Sequence, residues 1–521
     1  MTIDEFVSRI AGRRRLNPRQ QGNLNRILAI SDRFSRDAGI PQSEPEQIGA
    51  DTIVLESGHQ PNFLPFPGVW RKAFLLDRIR KRLQERGHDT IAVFGFADQN
   101  QSTASLLAAN QIPAFKKGGR ERIGFAIREK DRWRRFDAIP KPDPEDWQAE
   151  ISKIEAHYIE HAQRARLDPA ATKARLGAIL EVLRQSHERA ENFPDANAFF
   201  FARISAEAFG LDVRFFRYSD LQQAGIFAEE TNELRSHREG YVRHYNAAIA
   251  ERSLNIPPVR TDHVPLWYHC ACGGKVALAT GDEGTSEGTC PACGTPATLD
   301  NISLPALEAH YGRIGLSAVA RNIVFAEGLG TSLFLSGAGG GLQYGQIADR
   351  ISRELGLPVP ETLAWPARDC YLGAVQRIAL LDLIKTFDLE SREVADGLLA
   401  EKIEETRAAL RQEIARLKET GENRKRLKQY EGRLKDSATR TAIVAGIFAA
   451  HPSIADLFAC MDPDRIIAAW DDAATRADFR REGDFCIMHA PILYDNGGFQ
   501  QIEPRDLPQV CRHLASLEAA A

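Results

Sequence analysis

Thr52-Ile-Val-Leu-Glu-Ser-Gly-His-Gln-Pro-Asn-Phe-Leu-Pro-Phe-Pro-Gly-Val-Trp-Arg-Lys72 is the stretch whose reading decides the fold. A short apolar run, closing at Val54 and Leu55, empties into a loop rich in Gly, Pro and amide side chains. Gly58, Pro61, Pro65, Pro67 and Gly68 are expected to bar both helix and strand until about Val69. A helix is expected next, with Phe74, Leu75, Ile79 and Leu83 on its apolar side. Gly87 then turns the chain into a second apolar run, Ile91 to Phe96, which ends in Ala97-Asp-Gln-Asn-Gln101. The pattern reads β-loop-α-β. In parallel α/β sheets ligands bind outside the carboxyl ends of the strands, so His59, Gln60, Asn62, Asp98, Gln99 and Asn100 are expected to share one crevice.

Outward from this unit, the predicted fold class is α/β, a parallel-sheet core with helical insertions. The first part of the core spans 1–261 and carries a charged helical insertion at about 115–190, interrupted at Pro140-Lys-Pro-Asp-Pro144. Residues 1 to about 50 read as polar helix, with Arg13-Arg14-Arg15 on a solvated face. The run from Ala198 to Phe216 reads as a buried helix, a Gly stop and a strand. A Cys/Gly-rich module occupies 262–300, and the core resumes over 301–384 with strand-like runs at Ile323-Val-Phe, Thr331 to Leu335 and Thr362 to Trp365. Residues 441–521 form a C-terminal segment associated with the core.

Between 385 and 440 the composition shifts to Glu, Lys, Arg, Leu and Ala. Leu399, Ile403, Leu410, Ile414 and Leu417 fall on one side of a helix, with Thr406 inside the stripe. After a turn at Gly421-Glu-Asn423, Leu427, Tyr430 and Leu434 restart the spacing. This predicts an antiparallel helical hairpin with a stripe narrow enough for a coiled-coil seam. It serves either as an exposed arm or as the contact of a homodimer.

A chain of 521 residues is long enough for about two to four domains. Its 43% hydrophobic and 26% charged residues match ordinary globular proteins. A net charge of -4 supplies no global basic field, so a nucleic-acid partner is not expected. There is no signal-peptide core at the amino terminus and no apolar run near the ~18 residues of a membrane span, which predicts a cytoplasmic protein without a membrane partner.

Eight cysteines are too few for a disulfide framework in a chain of this length, but Cys270-Ala-Cys272-Gly-Gly and Cys290-Pro-Ala-Cys293-Gly form two knuckles. Two thiolates at each tight turn suit a tetrahedral Zn2+ ion in a zinc ribbon, and four protein ligands make that ion structural. His263 and His269 lie near enough in sequence to substitute for a ligand. Cys370, Cys460, Cys486 and Cys511 are scattered and read as core or surface thiols.

His59, on its loop between Gly and Gln, reads as a ligand contact or as a cap on local backbone. Asp98 reads either as a site residue or as a helix N-cap or turn. The loop Gly337–Gly341 can bring backbone N–H groups to an anion, although it is neither a Walker A sequence nor a G-x-G-x-x-G fingerprint.

These motifs, taken in order, resemble the bacillithiol biosynthesis cysteine-adding enzyme family. Gly58-His-Gln-Pro61, Pro67-Gly68 and Lys72 are similar to that family's Gly-Gln-Gln loop, Gly-Pro and Lys-bearing helix. Ala97-Asp-Gln-Asn100 resembles its acidic strand end, and Arg321, Gly337–Gly341 and Tyr344 resemble its Arg segment and Gly-rich loop. The 385–440 arm stands where the family has a dimerising coiled coil. The opening Gly58-His-Gln-Pro-Asn-Phe-Leu-Pro also looks like that of WbqC-like proteins. The resemblance implies a Rossmann-like core, related to nucleotidyl-transferring synthetase folds, and ligation of cysteine to glucosaminyl-malate. The chain departs from the family at three points: one carboxylate, Asp98, replaces an acidic-His-acidic run, Gly341 stands in place of a Glu, and the zinc ribbon has no counterpart.

The functional expectation is therefore a ligase that adds cysteine, or a related amine or thiol, to a small anionic acceptor. His59, Asp98 and Lys72 are the candidate catalytic residues. Ser57, Gly58, Gln60, Asn62, Gln99, Asn100, Arg321, Gly337, Gly339, Gly340, Gly341 and Tyr344 are the candidate substrate contacts, and the site admits ATP or another nucleotide. The competing expectation is a non-catalytic nucleotide- or sugar-binding scaffold with a degenerate core.

Overall fold

The computed structural model describes residues 1–521 apart from 12–14, 42–45, 105, 282–284, 300–303, 338, 367–368, 391–392, 395, 422, 450–451, 496–508, 510–512 and 514–521. Arg13, Arg14, Ala338 and Cys511 therefore lie outside the described residues.

Seven strands form the central sheet: β1 (Ile53–His59), β2 (Thr90–Phe96), β3 (Arg214–Arg217), β4 (Leu333–Ser336), β5 (Glu361–Ala364), β6 (Asp478–Glu482) and β7 (Phe485–His489). Their order across the sheet is β6-β7-β5-β4-β1-β2-β3, parallel throughout except for β6. The near-continuous apolar character of β1 and β2 follows from burial on both faces. Ile53 and Leu55 join Ala92, Phe94 and Phe96 in one core, whereas Val54, Ile91 and Val93 enter the other. The helix Pro67–Gln84 covers the first face with Phe74, Leu75, Ile79 and Leu83, as its spacing predicts. The helix Gly340–Glu354 covers the second with Ile347, Ala348 and Ile351. The chain thus leaves β1 and β4, neighbours in the sheet, toward opposite faces. That divergence opens a crevice at their carboxyl ends.

Four expectations need correction. β1 does not stop at Leu55 but runs through Gly58 to His59. Gly58 is paired with Gly95 of β2, and a Cβ on either would overlap the Tyr218 side chain. Glycine here permits close packing rather than a turn. Ile323 to Phe325 is helical, inside Ala318–Leu329, whose first turn is capped by Ser317 accepting from the Ala320 N–H at 3.2 Å. A three-residue apolar run cannot separate helix from strand by period, and the cap settles it. The 115–190 insertion is not purely helical. It includes one strand of a hairpin, Ala109–Pro113 with Arg120–Gly124, before the helices Pro144–Arg164 and Pro169–Arg189, and these bury Trp147, Ile154 and Leu180 in the first core. Finally, the cysteine-bearing module reaches past residue 300. Its five-stranded antiparallel sheet takes in Ile314–Leu316 beside His263–His269, Lys275–Thr280, Ser286–Thr289 and Pro296–Leu299.

The predicted helical pair is Leu398–Thr420 followed by Arg424–Ala449. Leu399, Ile403, Leu410, Ile414 and Leu417 are all buried, while Leu427, Tyr430 and Leu434 on the second helix are half-buried. At the base, Leu399 and Ile403 share a core with Ile443 and Val444 and with Val375 and Leu380 of the helix Ala374–Phe387. The stripe is therefore buried within a single chain. No described helix is long and apolar enough to cross a membrane.

Candidate functional site

The cleft begins where β1 ends. Tyr218 packs over Gly58 and Gly95, and the Arg321 guanidinium lies over the Tyr218 ring, 4.7 Å from its centroid. Lys72, in the second turn of the helix after β1, turns back to donate to the Gly58 carbonyl at 2.9 Å. A Cβ on Gly337 would come within 3.9 Å of the Lys72 ammonium nitrogen, so the glycine loop after β4 adjoins this lysine. The resulting cleft has a volume of about 580 Å³, within the ordinary range for small-molecule sites.

Three helix starts line it: Pro67–Gln84 through Phe66, Gly68 and Val69, Gly340–Glu354 through Gly339, Gly340 and Gly341, and Ala318–Leu329 through Ser317 and Ala318. Among the described residues no side chain caps the first two, although Pro67 has no N–H and the Val69 and Leu342 N–H groups already donate to the Phe66 and Gly339 carbonyls. Lys72, Arg321, Lys275 and Arg71 also line the cleft, and among the described residues no carboxylate does. Arg71 is buried against Asp369 at 3.2 Å and over the Trp365 ring at 4.4 Å, and its Nε and Nη2 have no hydrogen-bond partner among the described residues.

Burial shifts the titration of the two lysines. Desolvation, with the nearby Arg321 charge, lowers Lys72 to about 7 and Lys275 to about 8. His59 is lowered to about 3 by desolvation and by the Lys72 charge, so it is neutral near pH 7. Its Nδ1 lies 2.9 Å from the Gln60 carbonyl, an acceptor, which places the ring proton there and leaves Nε2 as an acceptor. The ensemble can hold an anion and can accept a proton from it or from a partner, at Lys72 first.

His59, Gly58, Gln60, Lys72, Asn100, Arg321, Gly337, Gly339, Gly340, Gly341 and Tyr344 all line the cleft. Four predicted residues do not. Asp98 is buried and accepts hydrogen bonds from the Ser219 N–H at 3.2 Å and from the Ser219 hydroxyl, and burial with Asp137 nearby raises it to about 8. Its carboxyl holds Ser219 near the start of the helix Tyr218–Gln223, while Asp98 itself stands in a turn and starts no helix of its own. Ser57 is buried and ties β1 to β4 through the Leu335 carbonyl at 2.8 Å. Asn62 is buried, and Gln99 offers its carbonyl to Lys275 at 3.3 Å from a neighbouring small pocket. Sequence reasoning missed Trp267, Lys275, Asn322 and Trp365. Trp267 and Lys275 come from the cysteine module, and no local pattern signals that this module reaches the cleft.

The Sγ atoms of Cys270, Cys272, Cys290 and Cys293 lie within 4.8 Å of one another and could hold a metal ion. Cys270 and Cys293 are 3.7 Å apart and Cys272 and Cys290 3.5 Å, close to the roughly 3.8 Å that sulfurs at Zn–S distance span across a tetrahedron. The Gly274 N–H donates to Cys272 Sγ at 3.3 Å, and a Cβ on Gly274 would overlap Cys290 Sγ. His263 and His269 stand outside this cluster.

No family model matches the chain. No curated protein matches it either. Among solved structures, an arginyl-tRNA synthetase of Thermus thermophilus is similar over 93% of this chain and 83% of that chain, at 14% identity and a TM-score of 0.24. At that score the likeness establishes neither fold nor activity.

Proposed function

We propose that the chain is a ligase-type enzyme with a Rossmann-like core, which binds a nucleotide or similar anionic molecule at the β1/β4 edge and adds cysteine, or a related amine or thiol, to an anionic sugar-acid acceptor. The observation that carries this reading is the convergence of Lys72, Lys275 and Arg321 on a cleft that no described carboxylate lines. The order β3-β2-β1-β4-β5 is that of doubly wound nucleotide-binding sheets, and the resemblance to the bacillithiol cysteine-adding family supplies the reaction type. In this reading Lys72, titrating near 7, takes the proton released when the amine or thiol attacks a carboxyl group activated by ATP as an acyl phosphate or acyl adenylate, from which phosphate or AMP departs as the new bond forms. His59 orients substrate through Nε2. The four thiolates hold structural Zn2+. A homodimer through the helical pair would use Leu427, Tyr430 and Leu434, because the first helix's stripe is spent inside the chain.

A second reading, a non-catalytic nucleotide- or sugar-binding protein, is favoured by one observation: Asp98 is engaged by Ser219, so no described carboxylate reaches the cleft for acid–base work. Calorimetric titration with ADP, paired with a mass-spectrometric assay for cysteine addition to a panel of sugar acids, separates the two. Binding with turnover supports the ligase, binding without turnover the binder, and absence of ADP and sugar-acid binding sinks both.

A further inference from the structure

The knuckle Cys270–Gly274 is the turn between the strands His263–His269 and Lys275–Thr280, closed by the Cys270 N–H donating to the Gly274 carbonyl at 2.9 Å. Lys275 is the first residue after it, paired with His269. The core grips this turn from below. The Arg134 guanidinium donates to the Cys272 carbonyl at 3.0 Å, and the Arg135 N–H to the Gly273 carbonyl at 2.8 Å. From this anchored edge Trp267 and Lys275 reach the cleft, the ammonium 4.8 Å from the Trp267 ring centroid and 3.3 Å from the Gln99 carbonyl. Asp137 and Asp98 act on Lys275, and Glu56 on Arg321, only as charges at a distance, with no ion-pair contact to either cation among the described residues. A space of about 30 Å³ lies directly behind them, bounded by both cations, and there His269 Nδ1 and Nε2 and Gln222 Oε1 are buried without partners among the described residues. This end of the cleft holds two cations without a contacting carboxylate and buried polar atoms without a hydrogen-bond partner among the described residues.

We propose that the cysteine ribbon is one jaw of the cleft, and that Lys275, Trp267 and Arg321 form a subsite for an anionic oxygen group of the ligand, phosphoryl or carboxylate. The proposal rests on the reading of the cleft as an anion site. Closure of the four-thiolate cluster sets the turn that aims Lys275, so metal content and ligand affinity are linked through one side chain.

The test is calorimetry on the full-length, metal-replete protein with inorganic pyrophosphate and, separately, succinate, which distinguishes the two anion sources. Wild type is expected to bind at least one of them. Lys275→Met should weaken that binding about tenfold or more, the scale of a lost charge-assisted hydrogen bond, and Lys275→Arg should restore most of it. Cys293→Ser should lose the metal and weaken binding to the same degree, and the double variant Lys275→Met/Cys293→Ser should be no weaker than either alone. Additive losses would overturn the link between metal and Lys275. Unchanged affinity in Lys275→Met and in Trp267→Ala would overturn the subsite while leaving the anion site standing. A wild-type protein that binds neither probe would overturn the anion site, and the subsite with it. If Cys293→Ser fails to fold, the Met and Arg substitutions at Lys275 still decide.

Discussion

Arg321 rests on Tyr218, and Tyr218 rests where two glycines have no side chain: a Cβ on Gly58 would overlap the Tyr218 hydroxyl, and one on Gly95 would overlap its ring carbons. The position of a cleft cation is thus set by two missing methyl groups on adjacent strands.

Gly58→Ala should cost about 1–3 kcal/mol, the usual penalty for overpacking, and should weaken anion binding by displacing Tyr218 and Arg321 together. Tyr218→Phe should recover part of the stability of Gly58→Ala, since it removes the overlapping hydroxyl but leaves the Gly95 carbonyl 2.9 Å from the new Cβ, and little of that of Gly95→Ala. Urea denaturation of the three single and two double variants checks this. Equal rescue of both glycine variants would show that the ring does not sit as described.

Lys72 titrates near 7 in the fold against about 10.5 in an unfolded chain. Between these values the unfolded state binds the extra proton, so stability rises with pH across that window, and below about 7 the whole penalty is present. Lys72→Met should therefore raise Tm more at about pH 6 than at about pH 9. An anion beside Lys72 favours its charged form, so at about pH 8 pyrophosphate binding should take up protons, seen as a heat that varies with buffer ionisation. Binding heats independent of the buffer would count against Lys72 as an anion contact.

Purified protein should carry about one zinc per chain, and Cys290→Ser should lose it, because Cys290 is buried in the cluster. Inductively coupled plasma analysis gives the stoichiometry. Metal content near zero in protein prepared without chelator would remove the site.

Asp98→Ala should act on stability before binding. It strips the Ser219 N–H and hydroxyl of their acceptor inside the core, a loss of about 1–3 kcal/mol. Thermal unfolding should shift while the pyrophosphate affinity of the folded fraction changes little. A stable Asp98→Ala protein with abolished binding would instead place that carboxyl in the site.

The local part of this architecture was legible in the residues. The apolar runs around Val54 and Val93, and the 3.6-residue spacing from Phe74 to Leu83, specify two strands and their crossover helix, and the glycine loop was recognisable at a strand end, whereas Lys72 and Arg321, both on helices, were singled out only by the family resemblance. What was not legible depends on partners far along the chain. Asp98 is turned away from the cleft by Ser219, 121 residues later, and Lys275 enters the cleft only because Gly273 and Cys272 dock on Arg134 and Arg135. Gly58 misled because a glycine that makes room for a tyrosine is indistinguishable, in one sequence, from a glycine that makes a turn.

The bond from the Ser57 hydroxyl to the Leu335 carbonyl joins residues 278 positions apart. At the ~5–20 residues per second of synthesis, that stretch takes roughly 15 to 55 seconds to make. Throughout this interval β1 can pair with β2 while its other edge waits, a row of open N–H and C=O groups of the kind that templates aggregation. The four cysteines are made within the same interval, so a ribbon that closes on its own ion would be in place before β4 arrives. The hazardous period in the life of this protein is thus its translation, and its length is written into the strand order.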